Sequence, residues 1–505
     1  MAPRAAGQVL CPIIVGRDAE TSAIAEALTG AREGRGGLLF LVGEAGIGKT
    51  RLARHAEERA RQSGMRAIRG RAAPGAGPIP FRPLAEAIQT GLRLHGVPGE
   101  PELEPYRPAL RGLVPAWSAT PSTDVTPLML FEGVSLLMRA LAAGDGLVVL
   151  LEDLHWADAD TLGVLDYLAD AVTGDRVLVV GTVRDEPSAA LDLAESIAAR
   201  RAATRLSLRR LSADEVVEMA RRSLDADDMP EPLLETLVDR AEGVPFVVEE
   251  MLTAYVSSGS PEALPHTYRE LVRARMSTLN EGARAILDAA ATIGRRFEWQ
   301  LLASVTGLTR ERVLEELRAA VDAKLVVTGS GGALRTGFGF RHALVRDALV
   351  AELLPPERAH LAARAADAIE DSYPGLPGEW CERLADLREI AGDHPASARH
   401  LQEAAKRALV RGALGSAEAM LERARALVES DRWHLIGIDR DLVEVLSLAG
   451  KTDRLREIGA TAIEFVQEKR GVMPFITLSL GDLFLRLARG LAASGDDAAS
   501  DEHLE

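Results

Sequence analysis

Residues 38–50, LLFLVGEAGIGKT, set five consecutive apolar side chains directly before a glycine-rich turn and a lysine–threonine pair. Leu38, Leu39, Phe40, Leu41 and Val42 show no alternation, so a strand made of them is covered on both faces, as in a parallel α/β sheet. Gly43, Gly48, Lys49 and Thr50 then satisfy G-x-x-x-x-G-K-[ST] at each fixed position, with Glu44, Ala45, Gly46 and Ile47 between them. Glycine lets the backbone turn its N–H groups inward around an anion with no Cβ in the way. Lys49 supplies a point charge for β- and γ-phosphates, and the Thr50 hydroxyl suits Mg2+. Residues 49–64, which include Arg51, read as a helix whose positive N-terminus meets the same anion. The alternative is a strand-to-helix turn without a ligand. Strand, loop and helix in the required order predict a nucleoside-triphosphate site.

A second apolar run, residues 147–153 (LVVLLED), ends in Glu152 and Asp153 about 100 residues after the phosphate loop. One carboxylate at such a strand end can hold Mg2+ while a second orients an attacking water. Ordinary strand-end charges are the plainer reading. The strand expected at 177–181 leads to Arg184, which suits a γ-phosphate sensor or, more simply, a surface ion pair. With strands at 66–70 and 205–208 and helices between, the pattern predicts a parallel sheet with right-handed crossovers. His155 reads as a packed residue rather than a base, and Asp158 or Asp160 as the cap of a helix over 161–171. Residues 74–83, PGAGPIPFRP, form a candidate lid or insertion.

Length suggests about three domains, and the 47% apolar fraction provides core for them. Aromatic residues make up only 4%, so helices rich in Ala, Leu, Arg and Glu are expected to form most of the mass. A net charge of −16 argues against a broad DNA-binding surface. Cys11 and Cys381 are too few and too far apart for a metal site or a disulfide framework. No apolar run approaches the roughly 18 residues of a membrane span, and the N-terminal VLCPII lacks a signal-peptide pattern. A cytoplasmic protein is the expectation.

The chain divides into a flexible tail at 1–12, an ATPase-like core at 13–210, a helical lid at 211–265, a winged-helix-like domain at 266–355 and helical repeats at 356–505. Ser212 and Glu215 have capping-box spacing at the lid entrance, and Gly243-Val244-Pro245 breaks its helices. Short helices followed by 325–327, a glycine turn at 329–332 and 337–340 predict a helices-then-hairpin module. Residues 398–427 place Ala, Gly and Leu at tetratricopeptide-like positions, with a weaker unit over 442–468; a plain helical bundle is the alternative. The acidic stretch at 496–505, without a polar capping helix, suggests an array that is truncated.

Six motifs in order, VGRDAE, GEAGIGKT, LLEDLHWAD, VGTVRDEP, GVPFVVEEM and FRHALVRDAL, resemble the STAND class of P-loop ATPases over about residues 13–430. They are similar above all to the large ATP-binding regulators of the LuxR type. That resemblance implies an AAA+/STAND-like α/β core binding ATP or ADP with Mg2+. It places Val15, Gly16 and Arg17 by the adenine, Gly243 and Pro245 on the nucleotide from the lid, and Arg184 as the sensor. His342 matches a winged-helix histidine near the β-phosphate, with a buried structural role as the alternative. Two features depart from the family. Its acidic strand end usually begins with Asp, whereas here Glu152 precedes Asp153, which suits slow hydrolysis. Its C-terminal helix-turn-helix has no counterpart here, so DNA contact is expected only through a domain absent from this chain.

The resulting expectation is a slow, Mg2+-dependent ATPase acting as a signal-transduction switch in transcription regulation. An inducer or protein partner on the repeats would bias the nucleotide-linked conformation and promote self-association. The competing readings are a constitutive AAA+-type remodelling ATPase and a repeat scaffold with a structural nucleotide.

Overall fold

The computed structural model describes residues 11–73, 80–114, 117, 126–142, 144–226, 228–260, 268–328, 337–341 and 343–469. Five parallel strands, β1 (Gly37–Val42), β2 (Arg66–Arg71), β3 (Leu147–Glu152), β4 (Val177–Val183) and β5 (Ala203–Ser207), form a sheet in the order β2-β3-β4-β1-β5. The apolar runs become central strands because both faces are covered. Leu38, Phe40 and Val42 face one core with Val149 and Leu151, while Leu39 and Leu41 face the other with Val148 and Leu150. The second core is closed by Leu52, Ala53, Ala56 and Ala60 of the phosphate-loop helix Lys49–Gln62. Register aligns Leu41 with Thr182 and Val42 with Val183, so β1 and β4 end together at the edge that carries the site.

Three helices, Ala213–Leu224, Glu231–Ala241 and Pro245–Ser258, follow the sheet. The first starts at the anticipated capping box, with Ser212 N–H donating to Glu215 Oε2 at 2.7 Å and Glu215 N–H donating to Ser212 Oγ at 3.3 Å. A second module contains helices Tyr268–Ser277, Glu281–Ile293, Trp299–Thr306, Arg310–Asp322 and Ala343–Glu352. It also holds a small antiparallel sheet of β6 (Arg296–Phe297), β7 (Val326–Thr328) and β8 (Phe338–Phe340), ordered β6-β8-β7. The two-residue β6 was not legible in the sequence, because so short a strand has no periodicity; pairing of Phe297 with Phe338 in β8 creates it. The glycine turn expected at 329–332 lies outside the described residues.

From Pro355 the chain is helical: Pro355–Ser372, Trp380–Ile390, His394–Val410, Leu414–Leu427, Arg432–Leu448 and Thr452–Lys469, each packed on the next. The break between the third and fourth falls at Gly412, with φ +78°, inside the unit read at 398–427. The unit expected at 442–468 falls on two helices, the first of which begins ten residues earlier, at Arg432. The acidic stretch 496–505 lies outside the described residues. Alanine dominates the buried positions here, including Ala398, Ala404, Ala405, Ala408, Ala417 and Ala424, and lets helices approach closely. These side chains belong to the same apolar cluster as the β1–β3 face of the sheet and the helix Ala159–Ala171. The repeat helices are therefore packed onto the ATPase-like core.

Candidate nucleotide site

The phosphate loop leaves β1 through Gly46 (φ +82°) and Gly48 (φ +108°), both in the left-handed region that side-chain-bearing residues rarely adopt. A Cβ on Gly46 would stand 3.1 Å from Phe246 Cβ and 3.2 Å from Val244 Cγ1. Phe246 N–H donates to Gly46 O at 3.3 Å. The GVP turn is thus laid directly on the loop, 200 residues from it in sequence. Gly243 (φ +73°) makes this possible: its carbonyl accepts from Leu211 N–H at 2.8 Å, and a Cβ there would meet Leu211 O at 2.2 Å. Pro245 sits at the first turn of the next helix, where its missing N–H is harmless.

Lys49 is buried, and its Nζ donates to Gly43 O (2.5 Å) and Glu44 O (2.7 Å). Burial and the nearby charge of Arg184 push its pKa down to about 8. Glu44 pairs with Arg210 (2.7 Å), and Arg51 with Glu249 (3.1 Å), so both join the loop to the helical region after the sheet. Cys11 is buried, and its N–H donates to Glu249 Oε1 at 3.1 Å. The loose tail expected through residue 12 therefore does not include Cys11, because an apolar lid surface covers it.

Beside the loop, Val15, Arg17, Ile47, Leu211, Met219 and Pro245 line a mostly apolar cleft of about 360 Å³. Gly16 (φ +66°) abuts the Glu215 carboxylate. Arg17 is only 4% exposed and donates to Arg209 O (2.6 Å) and Ile47 O (3.3 Å). Its guanidinium thus ties the loop to the exit of β5.

At the acidic strand end the two carboxylates separate. The strand stops at Glu152, one residue short of the expected end, because Asp153 turns left-handed (φ +59°), a conformation Asp tolerates. Glu152 is 3% exposed and lies 3.8 Å from Arg69 and 3.9 Å from Arg71. Asp153 is the carboxylate whose charge reaches Lys49. Its N–H donates to Thr182 Oγ1 (2.8 Å), and its Oδ2 accepts from Arg71 (2.6 Å) and Arg295 (3.1 Å). Burial works to raise its pKa, but the two arginines outweigh that and hold it below the ordinary range.

Arg184, just past β4, lies 3.7 Å from Glu186 and 4.0 Å from Asp347 of helix Ala343–Glu352. His342 lies outside the described residues. His155 is more notable than its sequence context indicates. Both ring nitrogens are buried and, among the described residues, have no hydrogen-bond partner; they lie among the charges of Asp153, Arg184 and Lys49. Burial pushes its pKa down to about 4, so the ring is neutral at pH 7. Arg71, Arg295 and His155 were the residues missed. The signal available for His155 was its place two residues after the acidic pair; Arg71 and Arg295 carried none.

Left-handed glycines, a buried ammonium bonded to loop carbonyls, and two imidazole nitrogens without partners among the described residues fit a phosphate chain with its Mg2+. Thr50 and Asp153 would hold the metal, while Glu152 lies against Arg69 and Arg71. Among the described residues no helix is long and apolar enough to cross a membrane.

An uncharacterized protein of Rhizobium meliloti (strain 1021) is 26% identical over 456 residues, 81% of this chain and 42% of the relative. The chain thus spans about two fifths of the length of that curated relative. Among solved structures, a signal transduction ATPase with numerous domains (STAND) with a tetratricopeptide repeat sensor from Pyrococcus horikoshii aligns over 100% of this chain and 71% of its own. Its identity is 16% and its TM-score 0.48. The Aeropyrum pernix ORC1 protein, solved in complex with DNA, aligns over 68% of this chain and 94% of its own, at 17% identity and TM-score 0.33. Residues 13–180 match the family described as AAA ATPase domain. With the phosphate loop at the end of a parallel strand and the acidic turn two strands away, this part of the chain is an AAA-type ATPase domain.

Proposed function

We propose that the chain is an ATP-binding signal-transduction switch, the nucleotide-binding and sensor part of a LuxR-type transcription regulator. One observation carries this reading: Asp153 at the nucleotide site is held by Arg295, which belongs to the helix-and-hairpin module following the lid. A carboxylate whose Oδ2 is bonded to two guanidinium groups is a weaker metal ligand, because their positive charge opposes a cation beside it. ATP with Mg2+ and the present module arrangement therefore compete for the charge of the same carboxylate. Each ligand state favours its own arrangement by as much as its affinity differs between them. Bound Mg2+ would neutralise phosphate charge and polarise the bond to be cleaved. Lys49 and the loop N–H groups hold the phosphates, Arg184 links them to Asp347, and neutral His155 offers a hydrogen bond to phosphate or water. Hydrolysis is slow in this reading, since Asp153 must first leave its arginines. The repeat helices, packed on the same core, receive the inducer or partner protein and transmit its binding.

The test is to denature the purified chain and identify the small molecules it releases. Stoichiometric ADP supports a closed switch. An empty chain that turns ATP over rapidly, with no change of assembly state between ATP and ADP, refutes it in favour of a constitutive ATPase.

A further inference from the structure

A second cleft, of about 680 Å³ and open to solvent, is lined by Arg71 and Arg295, the two arginines bonded to Asp153. Three parts of the chain build it: the end of β2 with the helix Arg82–His95, the start of β6, and the helix Trp380–Ile390. Its walls carry five guanidinium groups, from Arg71, Arg82, Arg295, Arg296 and Arg383. Three carboxylates, Glu86, Glu298 and Glu379, face them.

Each of those carboxylates has a hydrogen-bond or ion-pair partner. Glu86 accepts from Arg71 N–H (3.1 Å), Glu298 from the Tyr373 hydroxyl (2.5 Å), and Glu379 pairs with Arg82 and with Arg383 at 3.8 Å. Arg71 and Arg295 both bond Asp153 Oδ2, and Arg71 also lies 3.9 Å from Glu152. Among the described residues the Arg296 guanidinium has no hydrogen-bond or ion-pair partner. The lining thus sets five guanidinium groups against three carboxylates. Planar guanidinium groups on facing walls suit an oxyanion that accepts paired N–H bonds.

We propose that this cleft binds a small, multiply charged oxyanion, and that the anion draws Arg71 and Arg295 away from Asp153. Occupancy joins the sheet, the β6 module and the repeat helices, so the site reads a metabolite-sized anion at the junction of all three. Its effect on Asp153 rests on the nucleotide-switch reading; binding itself does not.

The experiment is calorimetric titration of the full chain with citrate and, separately, with inorganic phosphate. These distinguish a polycarboxylate from a phosphate ligand. The Lys49→Ala variant removes the phosphate loop as a competing anion site, and Arg296→Gln alters only the cleft. Saturable binding of either probe is expected, retained in Lys49→Ala and weakened on the order of tenfold in Arg296→Gln, the loss of a charge-assisted bond. Loss of binding in Lys49→Ala would place the anion in the phosphate loop and overturn the proposal. So would binding equal in Arg296→Gln and the unaltered chain, or none with either probe. If binding behaves as expected but adding the anion leaves Mg2+-dependent ATP affinity unchanged, the site stands and its link to Asp153 fails.

Discussion

The helix Leu414–Leu427 has no cap of its own: Ala413 precedes it, and no side chain near it in sequence accepts its first N–H groups. Asp160, at the start of helix Ala159–Ala171 in the ATPase domain, supplies the cap instead. Its carboxylate accepts from Gly415 N–H at 3.0 Å and Ser416 N–H at 2.7 Å. Asp160→Ala removes a charged acceptor from a helix N-terminus and leaves two donors at a packed seam. Loss of a cap costs about 1 kcal/mol, and a bond to a charged group contributes roughly 1.5–3 kcal/mol. Asp160 is half-exposed, so water takes over part of its role. The net cost is then about 2 kcal/mol, or about 30-fold in the equilibrium for lifting this helix off the domain. Asp160→Asn keeps a capping oxygen and should lose about half of that. Hydrogen exchange read by mass spectrometry on the full chain measures it. Peptides from the start of Leu414–Leu427 should exchange about 30-fold faster in Asp160→Ala, while those of β1, β3 and β4 keep their protection. Unchanged exchange in this helix would refute the capping argument. An equal acceleration throughout the chain would refute the idea that the seam opens separately.

Arg295→Gln frees one side of Asp153 and should raise Mg2+-dependent ATP turnover by on the order of tenfold. A fall in turnover would instead make Arg295 a cation that assists the reaction. Gly243→Ala forces a Cβ against Leu211 O and holds a left-handed φ of +73°; roughly 1–3 kcal/mol of stability should be lost in denaturant unfolding. A midpoint unchanged within error would show that the lid entrance relaxes freely. The pH dependence follows from Lys49, whose pKa of about 8 lies below its ordinary 10.5. Between those values the unfolded chain binds more protons, so stability without nucleotide rises with pH through that window. Lys49→Met should flatten the rise, and an identical slope in that variant would show that Lys49 does not cause it.

Local chemistry made the core of this protein legible. A run such as LVVLL can be satisfied only where both faces are covered, and a G-x-x-x-x-G-K-T turn only where left-handed backbone is available. Strand order of residue types therefore disclosed the parallel sheet, the phosphate loop and the acidic edge, and Ser212 with Glu215 disclosed a helix start. Each of these is decided within a few residues. Boundaries proved softer: β3 ends at Glu152 because Asp153 is pulled into a turn by Thr182 and by arginines elsewhere in the chain.

Tertiary structure alone decided what those residues do to one another. Arg71 is 82 residues from Asp153 and Arg295 is 142 residues away. No periodicity in the chain records that both arrive at one carboxylate. The burial of the His155 ring nitrogens, the cap that Asp160 lends to a helix 255 residues on, and the backbone bond from Phe246 to Gly46 have the same character. Hydrophobic patterning is a short-range code, whereas these contacts follow from how whole modules pack, and packing sums many side chains into one arrangement.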